Sequence, residues 1–399
     1  MAGTGGFSVS GYGPERGLWA MLAARDSMAR RLDWPLMFSA VALSAVGSVL
    51  VWSATRNRTD LNQGDPYHFF FRHILNTSIG LALMIGTIWL GHRTLRGAVP
   101  VLYGVSVVLV LLVLTPLGAT INGAHAWIVL GGGFTLQPSE FVKITIILGM
   151  AMLLAARVDA GDQVHPDHRT VAKSLGLAVV PILIVMMMPD LGSVMVMAVI
   201  VLGVLLASGA SNRWIFGLVG AGVVGAVAVA ALGVLDEYQI NRFAAFANPE
   251  LDPAGVGYNT NQARIAIGSG GLTGTGLFKG SQTTGQFVPE QQTDFVFTVA
   301  GEELGFLGAG LILLLLGVVL WRACRIARET TELYGTIVAA GIIAWFAFQS
   351  FENVGMTLGI MPVAGLPLPF VSYGGTSMFA VWIAVGLLQS IRVQKPMSA

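Results

Sequence analysis

Apolar runs long enough to cross a bilayer recur along almost the whole chain, and that property removes most folds from consideration. About 20 helical residues cross a hydrocarbon core of about 30 Å. Runs of that order lie near 34–54, 73–91, 98–115, 138–156, 174–189, 190–208, 215–235, 293–320, 336–356 and 376–392. Inside a bilayer every backbone N–H and C=O must be satisfied within the protein, so a spanning segment is a helix or part of a closed barrel. These runs are continuous rather than alternating, which selects helices. Charged residues make up only 11% of the chain and hydrophobic ones 54%, whereas a soluble domain carries about 25% charged residues. The expected fold is an all-α polytopic membrane protein with about ten crossings, the fifth and sixth meeting at Pro189-Asp190. A net charge of +1 leaves no electrostatic footprint for nucleic acid. Cys324 is the single cysteine, so no intramolecular disulfide can form.

Basic residues orient the bundle, because cytoplasmic segments carry an excess of Lys and Arg. With the N-terminus inside, Arg16, Arg25, Arg30, Arg31, Arg93, Arg96, Arg157, Arg169, Lys173, Arg213, Arg322, Arg325, Arg328, Arg392 and Lys395 are cytoplasmic. Only Arg56, Arg58, Arg72, Arg242, Arg264 and Lys279 are then outside, and Lys143 falls within a helix. The expected organisation is a cytoplasmic tail over 1–33, a transmembrane domain over 34–392 and a short cytoplasmic tail over 393–399. Both termini then face the cytoplasm of a multi-pass protein. The outer segment 236–292 exceeds an ordinary connection, and loops of that length are usually functional or disordered. It contains Phe243-Ala244-Ala245-Phe246 and Ile265-Ala266-Ile267, apolar pieces suited to packing on the bundle or dipping into the membrane.

An ionisable side chain at helix depth costs roughly 2.5–3.5 kcal/mol on insertion scales, so each one needs a reason. Glu140 and Lys143 stand one helical turn apart, on one face, after Pro138 at a helix start. Two readings are open: a structural ion pair, or a pair presented to substrate with Lys143 offered to an anionic group. Asp190 fits a helix cap. Glu302 and Glu303, adjacent and pointing in different directions, fit structural pairing with Arg or Lys better than a catalytic dyad. Asp294 closes the long loop where the next apolar run begins. It can be an N-cap, with Thr293 as the other candidate for that role. Partial desolvation at the interface would instead raise its pKa into the range of a general base.

Other features are weaker. The run Gly268-Ser269-Gly270-Gly271-Leu272-Thr273-Gly274-Thr275-Gly276 lacks a flanking strand–helix unit and suits a surface approached by a bulky substrate better than a nucleotide loop. His165-Pro166-Asp167-His168 lies in a polar loop, where solvation explains it without a metal.

Several strings carry a resemblance. Gly123-Ala124-His125-Ala126-Trp127-Ile128, Gln137-Pro138-Ser139-Glu140-Phe141-Val142-Lys143 and Pro189-Asp190-Leu191-Gly192-Ser193 resemble the SEDS family of bacterial cell-wall polymerases (FtsW, RodA and SpoVE). So do Asn261 to Gly271, Gln292-Thr293-Asp294-Phe295-Val296-Phe297, Gly301-Glu302-Glu303-Leu304-Gly305, Pro362 to Phe370 and Ser372-Tyr373-Gly374-Gly375-Thr376-Ser377. The resemblance covers residues 30 to 393 in the family's order. Leu32-Asp33-Trp34, Trp52-Ser53-Ala54-Thr55 and Phe287 to Asp294 look more like the RodA branch than FtsW.

That resemblance implies a peptidoglycan glycosyltransferase that polymerises lipid II at the outer face of the bacterial cytoplasmic membrane with inversion, for cell elongation and rod shape. Asp294 matches the family's essential aspartate and would be the general base. Glu140 and Lys143 match its fourth-helix pair and would touch substrate. Arg264 and Lys279, the loop's basic residues nearest the glycine run, become candidate pyrophosphate contacts. Many relatives carry a basic residue directly before the tryptophan where this chain has Ala126, so His125 would substitute there, with a charge that depends on pH. A divalent cation has room in this scheme, without identifiable ligands. The partner implied is a class B penicillin-binding protein. Competing readings are a lipid II flippase, an FtsW-like division polymerase, and a scaffold that recruits a transpeptidase.

Overall fold

The computed structural model describes residues 28–394 except 63, 122–123, 132–133, 163, 189 and 232–255. Arg242, Phe243-Ala244-Ala245-Phe246 and most of both expected tails lie outside these. The long helices, in order, are α1 (Trp34–Thr55), α2 (His68–Leu90), α3 (His92–Val113), α4 (Pro138–Asp159), α5 (His168–Met186), α6 (Leu191–Ala207) and α7 (Asn212–Ala231). A shorter α8 (Val256–Ser269) and α9 (Val296–Glu303) precede α10 (Gly305–Glu329), α11 (Leu333–Leu358) and α12 (Gly375–Val393). Eight of these are long and apolar enough to cross a membrane. The 17-residue α6 and the 20-residue α7 stand where the sixth and seventh crossings are expected. The chain is a multi-pass membrane protein.

One expected crossing is redrawn. The run 293–320 is not a single helix. It breaks at Gly305, whose φ of 66° lies in the left-handed region open to glycine. There the glycine loop crosses the break. Phe306 and Leu307 N–H donate to the Gly271 and Leu272 carbonyls, and Thr275 and Gly276 N–H donate to those of Glu302 and Glu303. Orphan groups at both helix ends are thereby satisfied. A Cβ on Gly274 would stand 2.1 Å from the Glu303 carbonyl oxygen. Glycine at 274 therefore allows two backbones to meet, while Gly268 and Gly271 line a separate apolar cavity with Gly301 and Gly305.

Burial is uneven. α12 and α4 bury 72% and 67% of their apolar windows, whereas α3 buries 22% and turns the rest outward. The most extensive pairing joins α2 to α12, where Gly80 takes the Trp382 ring so closely that a Cβ would stand 2.5 Å from Cδ1. Small residues let membrane helices approach in this way. α1, α10 and α12 are stapled at one end by Asp33. This residue caps α1 through the Leu36 N–H (3.2 Å), accepts from Arg322 (2.6 Å), and its backbone N–H and C=O bond the Gln389 side-chain amide. α8 packs on the bundle, its Ala263 and Ala266 buried with Phe295, Met356 and Val363.

Between α3 and α4 the chain folds back as a small antiparallel sheet, β1 (Gly118–Ile121), β2 (Ala124–Gly131) and β3 (Phe134–Leu136), in the order β1-β2-β3. Thr376 ties it to α12, accepting from the Gln137 N–H and donating to the Thr135 carbonyl, both at 3.1 Å.

Candidate active site

A pocket of about 970 Å³ of empty space, open mouth included, gathers most of the singled-out strings. Its walls are the sheet (Ile121, Ala124, Trp127), the start of α4 (Gln137, Glu140) and the start of α6 (Asp190, Leu191, Ser193). Thr293 and Asp294, the strap Ala364–Pro367, and Tyr373, Gly374, Thr376 and Ser377 at the start of α12 complete it. Three helices thus begin at this pocket, and a helix N-terminus carries unsatisfied N–H groups and a partial positive charge. At α12 the cap position is Gly374, which has no side chain to occupy them.

Asp294 does not cap α9. That position falls on Phe295, which has no side-chain acceptor, while Thr293 Oγ1 turns back to Glu290. The Asp294 carboxylate stands against Gly365, where a Cβ would lie 3.4 Å from Oδ2. Gly365 has φ 71°, so the strap passes Asp294 in a conformation that suits glycine. The Asn353 side-chain amide donates to the carbonyls of Asp294 and Leu366, each at 2.7 Å.

Glu140 and Lys143 form the ion pair their spacing predicts, at 2.7 Å. Only Glu140 lines the pocket; Lys143 is fully buried behind it, 4.8 Å over the Trp345 ring. Lys143 also donates to Gln349 Oε1 at 3.3 Å, which takes a second bond from Trp345 Nε1 at 2.7 Å. The Gln349 amide in turn holds the Pro367 carbonyl of the strap at 2.7 Å. One Glu140 oxygen, Oε2, is buried without a protein hydrogen bond. Asp190 is the cap expected of it, accepting from the Ser193 N–H at 3.0 Å, and its second oxygen takes Gln137 Nε2 at 3.2 Å.

The other candidate residues stand elsewhere. Arg264 is exposed and holds the end of α11, donating to the carbonyls of Leu358 (3.1 Å) and Gly359 (3.0 Å). Lys279 is exposed on the loop between α8 and α9. His125 hydrogen-bonds Thr120 across the sheet at 3.0 Å, while its neighbours Ala124 and Trp127 face the pocket. Among the described residues Glu302 and Glu303 pair with neither Arg nor Lys. Glu302 accepts from the Gln282 and Thr283 N–H groups and the Thr283 hydroxyl, and Glu303 from Ser53. Among the described residues lining the pocket none is Lys, Arg or His. Among the described residues, too, no three His, Cys, Asp or Glu side chains are grouped to hold a metal ion. Asp294, Asp190 and Glu140 do not gather into a ligand set, so no step is assigned to a divalent cation.

Gln349 and Asn353 are the residues that sequence reasoning passes over. Two amides four apart in an apolar helix are a usable signal, since both demand buried partners.

Taken together, the fold is that of a polytopic membrane enzyme whose polar pocket opens at one end of its helical bundle. Residues 34–396 match the family described as cell cycle protein, that of FtsW, RodA and SpoVE. Stage V sporulation protein E of Bacillus subtilis (strain 168) is 37% identical over 363 residues, 90% of this chain and 96% of the relative. Peptidoglycan glycosyltransferase MrdB of Escherichia coli (strain K12) is 34% identical over 369 residues, 92% and 95% of the two chains. A solved chain of a peptidoglycan synthase complex, in which polymerization and crosslinking are structurally coordinated, superposes with a TM-score of 0.74. It is 30% identical, over 92% of this chain and 99% of that one. Thermus thermophilus RodA, also 30% identical, superposes with a TM-score of 0.66 over 92% and 98%. This chain belongs to the FtsW/RodA/SpoVE family. The transporter reading gains nothing from these relatives.

Proposed function

We propose that this chain is a peptidoglycan glycosyltransferase that polymerises lipid II at the outer face of the cytoplasmic membrane, with Asp294 as general base. The observation that carries this is the place of Asp294: it lines a pocket where most of the family strings converge, its carboxylate against Gly365 and not on a helix cap. Asp294 removes the proton from the acceptor sugar's 4-hydroxyl. That oxygen then forms a bond to the donor's anomeric carbon as the bond to undecaprenyl pyrophosphate breaks, inverting the configuration. The leaving group departs as an anion and needs positive potential rather than a proton. Support for that role comes from the α12 N-terminus at Gly374, since Arg264 and Lys279 stand away from the pocket. Glu140 lines the pocket beside the substrate, and the Lys143 ammonium, bonded to it at 2.7 Å, holds its carboxylate in place.

In this reading both termini are cytoplasmic, the pocket faces outward, and a class B penicillin-binding protein crosslinks the product. The RodA-like strings and the RodA superposition support a role in elongation.

The test is polymerisation of purified lipid II by this chain with its penicillin-binding partner, the partner's transpeptidase blocked. Asp294→Asn is expected to remain folded and partner-bound and to lose about 10²–10⁴-fold in rate, the usual worth of a general base. Equal product from both proteins would remove Asp294 from the chemistry. No product from either, in an intact complex, would return the flippase reading.

A further inference from the structure

We propose that the β1–β3 sheet is a membrane-interface element, seated among the headgroups and upper acyl chains of the leaflet on the pocket's side, so that the pocket wall it forms borders lipid. Two independent observations carry this. Between Arg96 and Glu140 the chain contains no Asp, Glu, Lys or Arg, although that interval includes a whole three-stranded sheet as well as most of α3. A connection bathed in water has no reason to exclude charge, whereas a segment at membrane depth incurs a cost for each one. Second, the sheet turns large apolar side chains outward. Leu117 at its base is 65% exposed, and Val129, Leu130 and Phe134 toward the β2–β3 turn are 57%, 63% and 40% exposed. Water is a poor medium for such a cluster, and an interfacial bilayer is a good one.

Depth is bounded by the backbone. An open three-stranded sheet has edges with unpaired N–H and C=O groups, which the hydrocarbon core does not accept. Thr376 satisfies part of the β3 edge from α12. The remaining groups need water or headgroups, which places the sheet at the interface. Ile121, Ala124 and Trp127 then line the pocket from an element whose other side meets lipid. A lipid-linked substrate can pass from leaflet to pocket along it. The placement holds whatever lipid-linked molecule enters.

The lone cysteine makes the test direct. In a Cys324→Ser background, Leu130→Cys and, separately, Phe134→Cys are labelled with an environment-sensitive fluorophore and reconstituted in phosphatidylglycerol–phosphatidylethanolamine vesicles. Val164→Cys, 82% exposed in the loop between α4 and α5, is the aqueous control. Both sheet probes are expected to emit to the blue of the control, to lose most of their emission to lipids spin-labelled high on the acyl chain, and to be shielded from aqueous iodide. Iodide quenching equal to the control's, with no response to the spin-labelled lipid at either position, would overturn the proposal.

Discussion

The side chain of Asn353 bonds the backbone of Asp294: its amide donates to the Asp294 carbonyl at 2.7 Å and, through its other hydrogen, to the Leu366 carbonyl at 2.7 Å. One buried amide on α11 therefore sets the distance between the carboxylate-bearing turn and the strap that passes it. Gln349, one turn earlier, holds the next strap carbonyl and receives Lys143. The two sides of the pocket share one helix as their ruler.

Asn353→Ala leaves both carbonyls in a buried place without their donor, a loss of about 1–3 kcal/mol for each unsatisfied group. A shift of about 1 Å in a reacting group can cost about 10²-fold in rate. The expected outcome is a fall in kcat of that order with a smaller change in KM for lipid II. Steady-state polymerisation and thermal unfolding in detergent, measured side by side, separate the positional effect from simple loss of fold.

Breaking the buried pair from one side should be worse than removing it whole. Glu140→Gln strands the Lys143 ammonium among Trp345 and Gln349, and losing one partner of a buried pair costs about 3–5 kcal/mol. The double variant Glu140→Gln/Lys143→Met is expected to melt above the Glu140→Gln single and to remain impaired in polymerisation. Equal melting of the two would show that the pair contributes no coupling.

Glu303 gives a pH dependence with a definite sign. Burial raises its carboxyl above the ordinary 4.5, against the opposing bond from Ser53. The folded protein then binds more protons than the unfolded chain between 4.5 and the raised value. Its contribution is full below 4.5 and is lost as pH rises through that window. Glu303→Gln keeps the acceptor for Ser53 and removes the titration. Its melting temperature is expected to gain on the parent's as pH rises above 4.5 and to level off beyond the raised value, read by scanning fluorimetry in detergent.

Arg264→Ala should act on stability rather than on the chemical step. It removes two donors from the end of α11, worth about 0.5–1.5 kcal/mol each, and lies away from the pocket. A lowered melting point with near-parental turnover is expected. Loss of kcat with an unchanged melting point would restore the pyrophosphate role that its neighbourhood in sequence suggests.

Long helices were readable because length and lack of charge are local properties, and a bilayer offers such runs few alternatives. The Glu140–Lys143 pair was readable for the same reason, both residues lying within one turn of one helix. Arg264 and Lys279 show where such reading stops. They stand near the glycine run in sequence, and the glycine run belongs to the α9–α10 junction rather than to the pocket. Gln349 and Asn353 signal a need for buried partners, but the backbone carbonyls they hold come from segments that any sequence could place elsewhere.

From the sequence alone came the membrane class, the expected crossings, the family resemblance and the carboxylates that need a reason to be where they are. Each follows from residue type and near-neighbour spacing. Tertiary structure alone decided that the expected eighth crossing breaks at Gly305, that Lys143 supports the pocket from behind, and that Asp294 faces Gly365 and not a helix end. Those facts depend on which distant backbones come into contact, and packing determines that only once the whole bundle has closed.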